Sequence, residues 1–234
     1  MLRPDAAHRV LASSLEVASR TDRGVSARAN ALTVESTFEG PNLLRWLNGI
    51  APDLWFTDAT IVPDGFRTRG AVRRVYRYYE SNQGRDIERT RAAAQLFIGT
   101  VDVRSLARGL TSTSPVLRNV EALELTPRPD GWTIEVRAPA FVWGMVRKIV
   151  ASLREVDAGR LSLPRLSECL RGERRLTLPM AEPEPLLLWE VQYLQRWSFH
   201  WRGPNRRQSE GARERRALIR AQADLYDDRA VDRD

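Results

Sequence analysis

The sixteen residues from Phe141 to Val156 (FVWGMVRKIVASLREV) constrain this chain more than any other stretch. Val142, Val146, Ile149, Leu153 and Val156 fall on one stripe at helical spacing, which predicts a helix with one buried face. Arg147 and Lys148 interrupt the same apolar run, so at least one cation lies beside that stripe. A half-buried guanidinium needs an anion within reach. The alternative is that its stem packs while its head reaches water, the ordinary arrangement for an isolated case.

The rest of the chain mixes short helical and extended patterns. Residues 5–18 read as a helix, from Val10, Leu11, Leu15 and Ala18. A polar turn cluster, Ser19 to Gly24, follows. Leu32, Val34 and Ser36 alternate with Thr33, Glu35 and Thr37, which predicts a strand over 30–38. Pro41 to Ile50 reads as a helix entered at a proline, and Leu54 to Val62 as a strand. Val72 to Tyr79 (VRRVYRYY) has strong β character. Glu88 to Ile98 reads as a helix. Arg118 to Thr126 and Trp132 to Ala138 read as two strands joined at Pro129-Asp130-Gly131. After Pro164 a short helix carries Leu166 and Leu170. Leu186 to Leu194 is the last strand, with Pro183 and Pro185 tolerated at its entrance. Residues 196–234 change character, reading as a solvated helix over 210–224 and a frayed acidic end. Without a strict βαβ rhythm, this order predicts an α+β fold with mostly antiparallel sheet.

Composition then narrows the chemistry. The chain has 234 residues and a formal charge of +7, and 36 of its 37 bases are arginine, with Lys148 the single lysine. Such a balance fits a polyanion partner, although a genome-wide codon preference for arginine produces the same skew. One cysteine, Cys169, rules out an internal disulfide framework and a Cys-rich zinc site, and with only two histidines, His8 and His200, a His-built metal site or a Ser-His relay is not expected. No apolar run approaches the ~20 residues that span a bilayer. The N-terminus has no signal-peptide core, and Asp5 and Glu16 argue against a transit peptide, so a cytoplasmic protein is expected. Walker, GxGxxG, HExxH and CxxC motifs are absent.

Two further stretches could carry chemistry. In Arg20-Thr21-Asp22-Arg23-Gly24-Val25 a carboxylate flanked by guanidinium groups is held ionised, as a nucleophile or base requires. The same letters also describe a common turn in which Asp satisfies its own backbone. In Arg67 to Tyr79, Arg67, Arg69, Arg73, Arg74 and Arg77 occur with no intervening acid. As a strand, it puts Arg74, Tyr76 and Tyr78 on one face and Val75, Arg77 and Tyr79 on the other. Alternating guanidinium and aromatic groups suit nucleic acid, but also a solvated edge strand that blocks pairing by charge.

Taken together the three stretches resemble the tRNA pseudouridine synthase A family. Ser19 to Ala27 (SRTDRGVSA) is similar to the family's G-R-T-D-x-G-V-x-A loop. Phe66-Arg67-Thr68-Arg69 with Arg74-Val75-Tyr76-Arg77-Tyr78 resembles its F-x-A-R followed by R-x-Y-x-Y. Phe141 to Val150 resembles its F-x-x-x-M-V-R-x-I-V helix. The overlap runs from about Asp5 to Leu194, and three motifs in family order are specific where one is weak.

The resemblance implies two ferredoxin-like halves, 1–82 and 83–195, with a catalytic cleft between them and a tail from 196. It implies no cofactor and no metal, tRNA as partner, no membrane association and a homodimer. Asp22 would attack the target nucleotide, and Arg20 would help hold the flipped uridine. Tyr76 would pack on the uracil ring, Arg147 would pair with Asp22, and Leu186 would line the base pocket. Arg69, Arg74, Arg77 and Tyr78 would contribute to the RNA surface. The expected targets are uridines at tRNA positions 38 to 40, in the anticodon stem-loop. A non-catalytic RNA-binding protein of the same ancestry is the competing reading, and a DNA-binding regulator is disfavoured because no basic recognition helix stands out. Family members carry about thirty more residues before the first helix, including a central strand with Tyr-Asp-Gly, so either the start is set late or this chain lacks an element, in which case an unpaired sheet edge would be a liability. Thr68 stands where the family pattern has alanine, and Pro185 where it has glycine.

Overall fold

The computed structural model describes residues 10–38, 40–51, 54–81, 86–111 and 116–195. In chain order the elements are strands β1 (Val10–Val17), β2 (Ser26–Ala27) and β3 (Leu32–Ser36), helix α1 (Gly40–Ile50), β4 (Arg73–Ser81), α2 (Ile87–Gln95), β5 (Gly99–Asp102), β6 (Leu117–Val120), β7 (Ala122–Arg128), β8 (Gly131–Ala138), α3 (Met145–Asp157), α4 (Leu163–Leu170) and β9 (Leu186–Gln192). The chain divides into two compact bodies: among the described residues, 10–12 and 35–64 form the smaller, and 13–34 and 65–195 the larger.

The larger body is built on a five-stranded sheet in the order β2-β9-β4-β8-β7. β4 lies between β8 and β9 and is antiparallel to both, β7 and β8 form a hairpin, and β2 runs parallel to β9. Leaving aside β2, the separate β5-β6 pair and α4, β4-α2-β7-β8-α3-β9 is the β-α-β-β-α-β order of a ferredoxin-like unit. The α+β, mostly antiparallel expectation therefore holds. β4, which falls before residue 82 in the expected division, is an inner strand of this sheet. Its inner position also removes the edge-strand reading of Val72 to Tyr79.

Alternation along β4 shows why it is internal. Arg74, Tyr76, Tyr78 and Glu80 are all buried on one face, and Val75 is buried as well. That face packs with α3, whose Met145, Val146, Ile149, Val150, Leu153 and Val156 are buried as the apolar stripe predicts. Ile134 and Val136 of β8, Leu188 of β9, Phe97 after α2 and Leu166 of α4 complete the core. Each such side chain contributes about 1.5–3 kcal/mol by leaving water. The helix begins at Met145, later than Val142, because Gly144 caps it at φ +80°. A Cβ there would be strained and would stand 2.8 Å from Met180 Cε.

Three other expectations are corrected. Val10–Val17 is a strand paired with β3, where a helix was expected over 5–18. The extended form lets the Glu16 carboxylate accept the backbone N–H groups of Thr68 (2.5 Å) and Arg69 (3.4 Å), so long-range bonds override the helical spacing. Residues 54–62 form no strand. Here the Asn48 side chain takes both backbone groups of Phe56, at 2.9 Å each, in place of a neighbouring strand. Arg118 to Thr126 is not one strand but two: β6 pairs with β5 and β7 with β8, with Glu121 at the switch. The proposed helix at 210–224 lies outside the described residues.

Candidate active site

Asp22 sits on a loop fixed at base, tip and exit. At the base, Ala18 N–H donates to Ala31 O (2.9 Å) and the Asn30 amide to Ser19 O (2.9 Å). At the tip, Val25 N–H closes a turn onto Asp22 O at 3.0 Å, with Gly24 third in the turn at φ +89°. Glycine is required there twice over: for the positive φ, and because a Cβ would stand 2.9 Å from Pro183 Cγ. At the exit, β2 pairs with β9 and Arg28 N–H donates to Leu188 O at 2.8 Å.

The anion that Arg147 requires is Asp22. Arg147 Nη1 donates to Asp22 Oδ2 at 2.9 Å while its Nε donates to Ala181 O at 2.6 Å. Ala181 N–H in turn donates to Arg147 O at 3.2 Å, so the first turn of α3 is clamped to the segment that also packs on Gly24. Side-chain exposure is 15% for Arg147 and 21% for Asp22, so the pair is sheltered yet open to a ligand. Among the described residues no donor engages Asp22 Oδ1, which leaves one carboxylate oxygen available.

Tyr76 rises from β4 on the same face as the core. Its hydroxyl shares a hydrogen bond with Ser19 Oγ (2.9 Å), and its ring meets Phe141 edge-on with centroids 5.0 Å apart. Burial pushes the Tyr76 phenol above its usual range and the Asp22 charge adds to this, against the Ser19 bond and the Arg74 charge. The phenol is therefore neutral at physiological pH. Leu186, first residue of β9, is buried and joins the same apolar cluster.

Arg74 has a different place from that expected. Only 6% exposed, it donates to the carbonyls of Ala71, Pro139, Ala18 and Arg69 at 2.5–3.0 Å. It is a strut joining the loop base to the approach of β4, not a phosphate ligand. Burial pulls its guanidinium pKa down. Tyr78 is fully buried and so does not present its ring to RNA. Burial pushes its phenol up to about 12. Its hydroxyl meets Glu182 (3.2 Å) and Arg154 (3.0 Å), and Arg154 also binds Glu80 (2.9 Å) and Glu182 (2.6 Å). The Arg154 bond holds the Glu182 carboxyl at about 2.

Arg77 lies on the opposite face of the sheet from Tyr76. It bonds Glu135 (2.5 Å), and its guanidinium carbon lies 3.6 Å from the Trp189 ring centroid. Arg20 and Arg69 are exposed. Thr68 is fully buried, its hydroxyl 2.5 Å from Thr33 Oγ1, so the residue that departs from the family's alanine has a partner for its extra oxygen.

Sequence reasoning missed several contributors. Arg154 is seven residues beyond Arg147 and therefore on the same helix face, the one signal that could have found it. Lys148 is another: its ammonium bonds Ser105 O (2.9 Å) and Ala107 O (3.3 Å), tying the 103–111 loop to α3. Ser19 and the backbone of Ala181 had no signal beyond adjacency to a motif.

Residues 93–194 match the family described as tRNA pseudouridine synthase. The chain is 39% identical over 179 residues to the tRNA pseudouridine synthase A of Thermococcus kodakarensis, covering 75% of this chain and 66% of the relative. It is 35% identical over 187 residues to that of Pyrococcus abyssi, covering 79% and 70%. With the corresponding protein of Methanoculleus marisnigri the identity is 35% over 187 residues, covering 77% and 66%. The chain thus spans about two thirds of the length of the curated relatives it matches. Among the described residues no helix is long and apolar enough to cross a membrane.

Proposed function

The chain belongs to the tRNA pseudouridine synthase family, and from that premise we propose that it isomerises uridine to pseudouridine in tRNA, with Asp22 as the attacking carboxylate. One observation carries the reading: the sheltered Asp22–Arg147 pair, 2.9 Å long, leaves the second carboxylate oxygen free on a loop braced at base, tip and exit. A nucleophile held this way is oriented before substrate arrives, which avoids reorganisation during reaction.

The chemistry needs few groups. The carboxylate adds to the flipped nucleoside, the C1′–N1 bond breaks, and the freed uracil turns to present C5. The C1′–C5 bond forms and Asp22 departs unchanged, while C5 loses its proton to water and N1 gains one. Substrate and product are isomers. Attack at ribose C1′ or at ring C6 requires the same ionised carboxylate. Tyr76, kept neutral, packs against the ring, and Leu186 supplies an apolar wall. A duplex uridine must first leave its stack at a cost of a few kcal/mol, and the exposed Arg20 fills the vacated space. Arg69, exposed near the same loop base, faces phosphate. The reading extends to uridines 38 to 40 of the anticodon stem-loop, to a homodimer whose two protomers touch one tRNA, and to the cytoplasm where tRNA is found.

The test is tritium release from C5-labelled uridine in an anticodon stem-loop transcript, comparing the parent chain with Asp22→Asn. Release by the parent alone is expected. A parent that is folded and RNA-bound but silent would leave a non-catalytic RNA-binding protein in its place. Light scattering with and without RNA checks the dimer.

A further inference from the structure

Trp143 is an aromatic ring left 56% exposed in the turn that enters α3. That turn is short, and both of its neighbours serve the site. Phe141, two residues before, packs on Tyr76, and Arg147, four residues after, holds Asp22. The ring is not loose. Arg108 N–H donates to Trp143 O at 2.9 Å, and the Arg108 guanidinium carbon lies 4.8 Å from the ring centroid. Gly109, at φ +62°, brings the backbone so close that a Cβ there would lie 3.5 Å from Trp143 Cε3 and Cζ3.

Cations predominate at this place, although Arg104 is paired with Asp102 at 2.6 Å. Lys148 is half-buried beside the same loop. Burial first and the charge of Arg108 second pull its ammonium pKa down. Among the described residues neither Arg108 nor Lys148 forms an ion pair with a carboxylate. An open cleft of about 500 Å³ beyond Gly109 is walled in part by Arg104, Thr111 and Arg175. A large ring with a guanidinium against it, next to uncompensated cations, fits an unpaired nucleobase and its phosphate better than an apolar partner.

We propose that Trp143, backed by Arg108, is a stacking platform for an unpaired nucleobase neighbouring the target uridine, with Arg108 and Lys148 attracting the adjoining phosphate. The proposal rests on the reading that this chain binds RNA at Asp22. It adds a positioning element: a base seated on Trp143 fixes the strand beside the carboxylate and stabilises the opened loop after flipping.

The experiment measures anisotropy of a labelled anticodon stem-loop RNA with the parent, Trp143→Ala, Trp143→Phe and Arg108→Gln, with tritium release followed in the same preparations. Trp143→Ala should weaken binding by about tenfold, the loss of one stacked base, and Trp143→Phe should restore most of it. Arg108→Gln should lower the salt dependence by the equivalent of about one phosphate contact. RNAs with a single abasic loop nucleotide complete the cycle. At one position the abasic change should weaken the parent about as much as Trp143→Ala does, and weaken Trp143→Ala no further. Parental affinity in a folded Trp143→Ala chain, or additive losses at every loop position, overturns the platform. If that outcome comes with parental tritium release, the isomerase reading survives. A Trp143-dependent stack in a parent that releases no tritium sinks the isomerase reading alone.

Discussion

Replacing Arg147 by lysine separates charge from geometry at the proposed centre. The guanidinium uses Nη1 on Asp22 and Nε on Ala181 at once, at 2.9 and 2.6 Å. Those two donors point along different directions of one rigid plane, which an ammonium on a flexible stem does not reproduce. Lysine can therefore meet the carboxylate or the carbonyl, but not both in the native positions. One hydrogen bond involving a charged group is lost, about 1.5–3 kcal/mol where the site is closed to water. Exposure of 15% and 21% admits some solvent, so the stability loss should fall at or below the lower end, about 1–1.5 kcal/mol. The rate should suffer more, because Asp22 loses its fixed orientation: a reduction of about 10- to 150-fold follows if the same 1.5–3 kcal/mol appears in the barrier. Single-turnover tritium release reads the rate and urea denaturation reads the stability. A lysine variant with the parental rate would refute the argument that the fork orients the carboxylate. A variant that fails to fold would refute the solvent discount.

Two further outcomes follow from the surrounding network. Arg74→Met should cost about 3–5 kcal/mol in urea denaturation, since buried carbonyls of residues 18, 69, 71 and 139 lose their donor; a loss below 1 kcal/mol would return Arg74 to the RNA surface. Glu182 has its folded pKa lowered to about 2 from 4.5, so its stabilising contribution is present above about pH 4.5 and disappears as pH falls towards 2. Glu182→Gln should flatten stability against pH within that window and leave the profile above pH 5 parallel to the parent's.

What the sequence discloses depends on whether a residue's partner is local. The stripe of α3 is legible because Val146, Ile149, Leu153 and Val156 share a face by helical geometry alone. Strands β4, β8 and β9 are legible from alternation and turn residues in the same way, whereas the switch at Glu121 that separates β6 from β7 is not. β1 is not legible, since VLASSLEV satisfies helical spacing as well as alternation. The deciding bonds, from Thr68 and Arg69 to Glu16, come from more than fifty residues away. Residues 54–62 look like a strand until Asn48 takes the bonds that a neighbouring strand would make. Around the site, Asp22 and Arg147 were matched by family resemblance, and the unsatisfied cation in the apolar run gave the physical reason. Arg74 and Arg77 are indistinguishable in VRRVYRYY, yet one spans four carbonyls indoors and the other lies on the far face against Glu135 and Trp189. Counting charges cannot separate them; only the loops that converge on Arg74 do.

The parallel pairing of β2 with β9 has a consequence for how the protein is made. Ser26 meets Leu187 across 161 residues of chain, and this pairing anchors the exit of the Asp22 loop. At about 5–20 residues per second the ribosome delivers the second strand roughly 10–30 s after the first. Parallel, long-range contacts are also among the slowest to form. The reactive carboxylate is thus put in place only once β9 has been made, the same strand that completes the core around α3 with Leu186 and Leu188. A chain interrupted before residue 186 retains Asp22 and Arg147 but lacks the strand that anchors the loop between them, so incomplete translation products carry the nucleophile without the means to aim it.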